Sequence, residues 1–227
     1  MEKIEVLNGG YVGLVDSMGS DISVIRSARV SYNADWRAPE NGEVIGKDEK
    51  LIKYLLSNKH TSPFESVTFT FEVKAPIFVF RQWHRHRTWS FNEISARYTE
   101  LDMGYYVPEL KHITGQSTSN KQMRTDEMHP EADLMQKEID MSCKNAFRNY
   151  KRLLDKGVPR ELARGVLPVN AYSKMFATID LHNLMHFFNL RSHSHAQYEI
   201  RVYSDAMMEL IKPIVPVTMK IYWELKQ

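Results

Sequence analysis

Val67-Thr68-Phe69-Thr70-Phe71-Glu72-Val73-Lys74 alternates apolar and polar residues without a break. A strand has a side-chain period of two. Val67, Phe69, Phe71 and Val73 therefore share one face, and Thr68, Thr70, Glu72 and Lys74 the other. Pro76 follows, and proline suits the first turn of a helix, where its missing N–H is not needed. A helix is expected through Ile77, Phe78, Phe80, Arg81 and Trp83, running on into the polar segment that opens at Arg85.

Toward the N-terminus, Ile4 and Val6 alternate with Lys3 and Glu5, then Gly9-Gly10 precedes a second apolar run from Tyr11 to Val15. This reads as strand, turn, strand. Ser20 can cap a helix carrying Ile22, Ile25 and Val30. Residues 33–46 are loop-like, with turn chemistry from Asn33, Pro39, Asn41 and Gly42. A short helix follows, burying Leu51, Ile52, Leu55 and Leu56, and His60-Thr61-Ser62-Pro63-Phe64-Glu65 breaks the pattern.

Toward the C-terminus, residues 109–131 are polar and poor in bulky apolar side chains, and are expected to form a surface loop or insertion. A long helix spans about 132–156, ended by Gly157, with Pro159 opening the next. Residues 171–179 read as a strand, Asp180 as the cap of a helix through Arg191, and 195–211 as a helix stopped by Pro213. No repeat or linker divides the chain, so a single domain is expected.

Composition narrows the function classes. Lys and Arg number 30 against 28 Asp and Glu, so no global field favours nucleic acid or membrane, and any basic site must be local. The single cysteine, Cys143, excludes an intrachain disulfide framework and fits a reducing compartment. No segment offers the roughly 20 apolar residues of a membrane span. The expectation is a cytoplasmic protein without a membrane or nucleic-acid partner.

The chemistry concentrates in Arg85-His86-Arg87-Thr88-Trp89-Ser90-Phe91-Asn92-Glu93-Ile94-Ser95-Ala96-Arg97-Tyr98. Arg81, Arg85, Arg87 and Arg97 crowd together with only Glu93 to compensate. Arginine presents a rigid fork of donors to phosphate or carboxylate. Ser90, Asn92, Ser95 and Tyr98 add neutral hydrogen-bonding groups, so the composition suits a polyanionic, partly planar ligand such as a nucleotide. A solvated basic helix face and a nucleic-acid patch with interleaved aromatics are the alternatives. His182 and His186 are four apart and share a helix face, but Asn183 stands where a zinc-protease motif has Glu, and no metal is expected.

This run resembles the pattern of flavin-dependent thymidylate synthases: Arg-His-Arg, two variable residues, Ser, one variable, Asn-Glu, one variable, Ser, one variable, Arg. Three further segments are similar to elements of that family in the same order: His60 through Glu65, Gly157-Val158-Pro159-Arg160-Glu161-Leu162-Ala163-Arg164, and Asn189-Leu190-Arg191 with His195-Ala196-Gln197. The resemblance implies reductive methylation of dUMP to dTMP, with methylenetetrahydrofolate as carbon donor and NADPH reducing a bound FAD. It also implies a homotetramer with active sites between subunits. The expected fold class is α+β, a mixed α/β single domain with an antiparallel-rich central sheet flanked by helices.

Carried over by position, the resemblance places dUMP against Gln82, Trp83, His84, Arg85, Glu93, Ile94, Ser95, Ala96, Arg97, Arg164 and Arg191. It places FAD against Ser62, Arg85, His86, Arg87, Ser90, Asn92, Glu93, Asp180, Leu181, His182, His186 and His195, and His60 toward folate or flavin. At Asp180, His182 and His186 some members carry Asn, Arg and Asn. Arg97 is expected to fork onto the phosphate, with Ser95 and adjacent backbone N–H groups completing an anion nest; a salt bridge to Glu93 is its alternative. Arg191 is the expected catalytic residue: a guanidinium at the uracil N3/O4 edge stabilises the anion that makes C5 nucleophilic. Ser95 lacks a local base, and Cys143 lacks the context of a cysteine nucleophile, so both are read as non-nucleophilic. A nucleic-acid module, a metal hydrolase built on His182 and His186, and a flavin oxidoreductase on another nucleotide are the rival functions.

Overall fold

The computed structural model describes residues 2–33, 35–37, 44 and 46–226. The expected turn residues Pro39, Asn41 and Gly42 lie outside this set. Strand β1 (Lys3–Val6) turns through Gly9 into β2 (Gly10–Met18). Gly10 permits a close approach: a Cβ there would sit 2.1 Å from the Tyr203 hydroxyl and 2.9 Å from the Lys74 carbonyl. Ser20 caps α1 (Asp21–Val30), its hydroxyl accepting from the Ile22 N–H, with Ser23 closing a capping box. Helix α1 buries Val24, Ile25 and Ala28, whereas Val30 is exposed. Helix α2 (Lys47–Ser57) buries Ile52 and Leu55.

Strand β3 (Thr68–Pro76) buries Phe69, Phe71, Val73 and Ala75 and half-exposes the residues between them. Each of these aromatic burials stabilises by about 1.5–3 kcal/mol. Helix α3 (Ile77–Trp83) begins after Pro76 but stops at Trp83, so the expected continuation does not occur. The segment from Arg85 instead turns into a short strand, β4 (Ser90–Glu93). The physical cause is aromatic: Trp89 packs edge-on against Trp83 and Phe187 and stacks with Phe91, a layer that a continuing helix would pull apart.

The 109–131 segment is also corrected. It holds a 3-10 turn, Leu110–His112, and an antiparallel hairpin, β5 (Thr114–Gln116) and β6 (Arg124–Met128). Helix α4 (Ala132–Asp155) ends at Gly157, whose φ of 80° is the left-handed stop that glycine takes without strain. Helix α5 (Arg160–Ala163) follows Pro159. Strand β7 (Tyr172–Asp180) leads into α6 (Leu181–Arg191), capped by the Asp180 carboxylate on the Asn183 N–H. Helix α7 (Tyr198–Ile211) starts three residues later than expected. Helix α8 (Pro216–Glu224) was not foreseen.

The central sheet has the order β1-β2-β3-β7-β4, every neighbour antiparallel. Its apolar side packs against α1, α2, α3, α6, α7 and α8 in one hydrophobic cluster. The result is a mixed α/β single domain with an antiparallel sheet, as the fold class anticipated. Among the described residues, no helix is long and apolar enough to cross a membrane.

Candidate functional site

Helices α3 and α6 end side by side, and three clefts open around that meeting point. The first, about 510 Å³, is lined by His84, Glu93, Ile94, Ser95, Ala96 and Arg164, together with Arg81. Six of the expected dUMP residues are thus brought together from α3, β4, the following turn and the end of α5. The Glu93 carboxylate accepts from the Ser173 hydroxyl at 2.5 Å. Ser95 accepts from the Arg97 N–H through its hydroxyl, and from the Tyr98 and Thr99 N–H groups through its carbonyl. These three N–H groups therefore fold onto Ser95 rather than forming the expected anion nest. Arg164 lines the same cleft and offers its side chain as a donor for an anion. Arg97 pairs with Glu161 at 3.5 Å, and not with Glu93.

The second cleft, about 480 Å³, holds Gln82, Arg191 and His195 with Gln122, His193 and Gln197. Arg191, the last residue of α6, turns back so that Nε donates to His86 Nε2 at 2.9 Å and Nη2 to the Gln82 carbonyl at 3.2 Å. Among the described residues, its Nη1 has no hydrogen-bond partner. Burial, with the charges of Arg191 and His186, pushes the His86 imidazole down to about 4. His86 is thus neutral near pH 7, and only a neutral imidazole can accept that bond. Burial also lowers the Arg191 guanidinium.

The third cleft, about 550 Å³, joins His60 and Thr61 to His182, His186 and Asn189, over an apolar floor of Phe64 and Met185. His86 and His186 lie 6.5 Å apart, linking this cleft to Arg191. Lys59, Tyr222 and Lys226 also line it and were missed from the sequence. Tyr222 and Lys226 belong to the unforeseen C-terminal helix and its tail.

Several expected residues lie elsewhere. Trp83 is wholly buried, its ring 5.0 Å from Phe187 in the core, so its side chain is structural. Leu181 is likewise fully buried. The Asp180 carboxylate is engaged by Asn183, backbone and side chain. Arg85, Arg87, Ser90 and Asn92 are exposed along the turn and edge strand, and Ser62 is exposed below the third cleft. His195 shares a cleft with Arg191 rather than with His182 and His186. Gln122 and Gln197 were not assigned; Gln197 stood in a quoted element, whereas Gln122 stood in the segment read as a loop.

Arginines, amides and histidines around clefts of this size define a protein built to hold polar, anionic, partly planar ligands. The family described as Thymidylate synthase complementing protein matches residues 13–217. A flavin-dependent thymidylate synthase of Treponema denticola is 48% identical over 219 residues, covering 95% of this chain and 80% of the relative. One from Ehrlichia ruminantium (strain Gardel) is 45% identical over 225 residues, covering 97% and 72%. The crystal structure of a UMP/dUMP methylase, PolB from Streptomyces cacaoi bound with 5-Br dUMP, superposes with a TM-score of 0.85 at 38% identity, covering 97% of both chains. The chain belongs to the flavin-dependent thymidylate synthase family.

Proposed function

We propose that this chain methylates dUMP to dTMP, taking the carbon from methylenetetrahydrofolate and reducing equivalents from NADPH through FAD, in a homotetramer with sites shared between subunits. The observation that carries the reading is the convergence of Arg191, Gln82 and His86 beside a cleft that gathers His84, Glu93 through Ala96 and Arg164.

In this reading Arg164 and Arg97 neutralise the dUMP phosphate, with the Ser95 hydroxyl as a further partner. Gln82 and His84 flank the nucleotide, while Arg85 and Glu93 serve both ligands. Arg191 stabilises negative charge on the pyrimidine N3/O4 edge. Its Nε is held by His86, so the guanidinium is oriented before substrate arrives, which is electrostatic preorganisation. Cys143 is buried and its thiol is pushed up by burial and Asp140, so it supplies no nucleophile.

The third cleft fits a flavin by its donor set: imidazoles of His60, His182 and His186 and the Thr61 hydroxyl ring an apolar floor, and Lys59 and Lys226 offer charge for a pyrophosphate. Bound there, FAD supplies hydride chemistry that no side chain can. Ser62, Asp180 and His195 are further contacts in the assembled site, and the exposed Arg85, Arg87, Ser90 and Asn92 are available to a neighbouring subunit's flavin. His60 faces the folate.

The test is anaerobic. The purified protein is reduced with NADPH, dUMP and methylenetetrahydrofolate are added, and dTMP is scored. Flavin bleaching followed by dTMP supports the reading. Failure to retain or reconstitute flavin overturns it. Flavin reduction with no dTMP turns the assignment toward an oxidoreductase acting on another nucleotide, for which UMP is the first substitute substrate.

A further inference from the structure

The hairpin β5–β6 lies outside the catalytic roles assigned above, yet it is fastened to α7 by a buried charge. Arg124 of β6 donates through Nη2 to Glu199 Oε2 at 2.7 Å and through Nη1 to the His112 carbonyl at 2.8 Å. Glu199 is 3% exposed. Its other oxygen accepts from the Tyr106 hydroxyl at 3.2 Å, and Gln197 Nε2 donates to Oε2 at 2.8 Å. His112, preceding the hairpin, stacks on Tyr198 with ring centres 3.8 Å apart. The chain of bonds continues outward: Gln82 Nε2 donates to Gln197 Oε1 at 2.5 Å. Gln122 of the hairpin turn lines the same cleft as Gln82 and Arg191.

We infer that Arg124, Glu199 and Gln197 form a polarity relay that fixes which end of the Gln82 amide faces the nucleotide. An ionised carboxylate only accepts hydrogen bonds. Held in place by Arg124, Glu199 forces the Gln197 NH2 group toward itself. Gln197 must then point its carbonyl at Gln82, and Gln82 must answer with its own NH2. The Gln82 side-chain carbonyl, distinct from the backbone carbonyl that Arg191 holds, is thereby committed to the ligand side, where it accepts from a donor. The donors on dUMP are the sugar hydroxyl and, until it ionises, the pyrimidine N3–H. A glutamine with no such restraint presents either end. Gln197 and Glu199 are positioning residues, and the hairpin is the brace that pairs the buried carboxylate and keeps it aimed. The inference rests on the reading of Gln82 as a dUMP contact.

Gln197→Leu is the direct test, because Gln197 is exposed and its loss leaves the Arg124–Glu199 pair intact. dUMP affinity is measured by titration calorimetry on the flavin-loaded protein for wild type, Gln82→Ala, Gln197→Leu and the double variant. Losing one committed hydrogen bond weakens dUMP by about five- to tenfold. Gln82→Ala is expected to show it, and Gln197→Leu, which leaves Gln82 free to present either end, to show about a twofold loss, with flavin content and melting temperature of Gln197→Leu unchanged. The double variant is expected to bind no more weakly than Gln82→Ala, since the relay acts only through Gln82. If Gln82→Ala weakens dUMP while Gln197→Leu binds as wild type, or if the two losses add, the relay is overturned. If Gln82→Ala itself binds as wild type, the assignment of Gln82 to dUMP fails and the relay falls with it.

Discussion

Arg191 leaves the C-terminal end of α6 and is held by a neutral imidazole and a backbone carbonyl. Lysine offers one ammonium and cannot hold His86 while facing a pyrimidine edge as well. Arg191→Lys is expected to lower dTMP turnover about 100-fold or more, with flavin content within experimental error of wild type; steady-state rates and the flavin absorbance ratio check both. His86 carries a pH dependence whose sign is fixed. The unfolded chain takes up a proton near pH 6.5, whereas the folded protein resists it until about 4. The stability contribution is therefore complete above pH 6.5 and lost as pH falls toward 4. Thermal melts from pH 7 to pH 4.5 are expected to fall less steeply for His86→Asn than for wild type; parallel curves would remove His86 as the source. At this scale the sequence was legible where chemistry is local. His84, Glu93 through Ala96 and Arg164 do meet in one cleft. Trp83 was misplaced because residue type cannot say which way a helix-end indole points, and here the Phe187 and Trp89 rings take it into the core.

Elements were legible when their ends were marked by their own neighbours. Ser20, Asp180 and Gly157 each announce a helix terminus, and the structure places one at each. Helix α8 shows the opposite case. Its orphan N-terminal N–H groups are capped from across the chain: Asp21 Oδ2 accepts from Val217 at 2.8 Å and Oδ1 from Thr218 at 3.0 Å. Local reading could not find a cap that lies 196 residues away, and Pro213 was read only as the stop of the preceding helix. The hairpin was hidden for a related reason, since its anchor is Arg124 on Glu199 rather than an apolar pattern. Asp21→Ala removes both acceptors and leaves two donors unmet. The expected cost is about 2 kcal/mol, or about 4–8 °C in melting temperature for a domain of this size. Urea and thermal unfolding measure it, and a change below experimental error would show that water caps α8 equally well.

At the scale of the whole molecule, the clefts carry one part of the expected flavin set and the exposed edge carries another. Arg85 and Arg87 stand on the turn leading to β4, outside the cleft that holds His60, His182 and His186. Sites completed between subunits make a definite prediction. Light scattering is expected to give a mass near four times 26.5 kDa. Mixing and reassembling inactive Arg87→Ala with inactive Arg191→Ala is expected to restore activity, because some hybrid sites take Arg191 from the first variant and Arg87 from the second. A mixture as inactive as its parents would place each site within one chain. In the sequence such sharing is implied only by the family resemblance, because no single chain's pattern encodes a neighbour's surface. The Asp21 bond to α8 has one more consequence, in the order of synthesis. Tyr222 and Lys226 help wall the cleft that holds His60, yet α8 docks only once it can reach α1. A chain emerging from the ribosome can pair β1, β2 and β3 early, but that wall needs α8, made about 150 residues after β3 begins. Closure of this cleft then waits for α8, and the nascent chain presents an open flank until that helix is free.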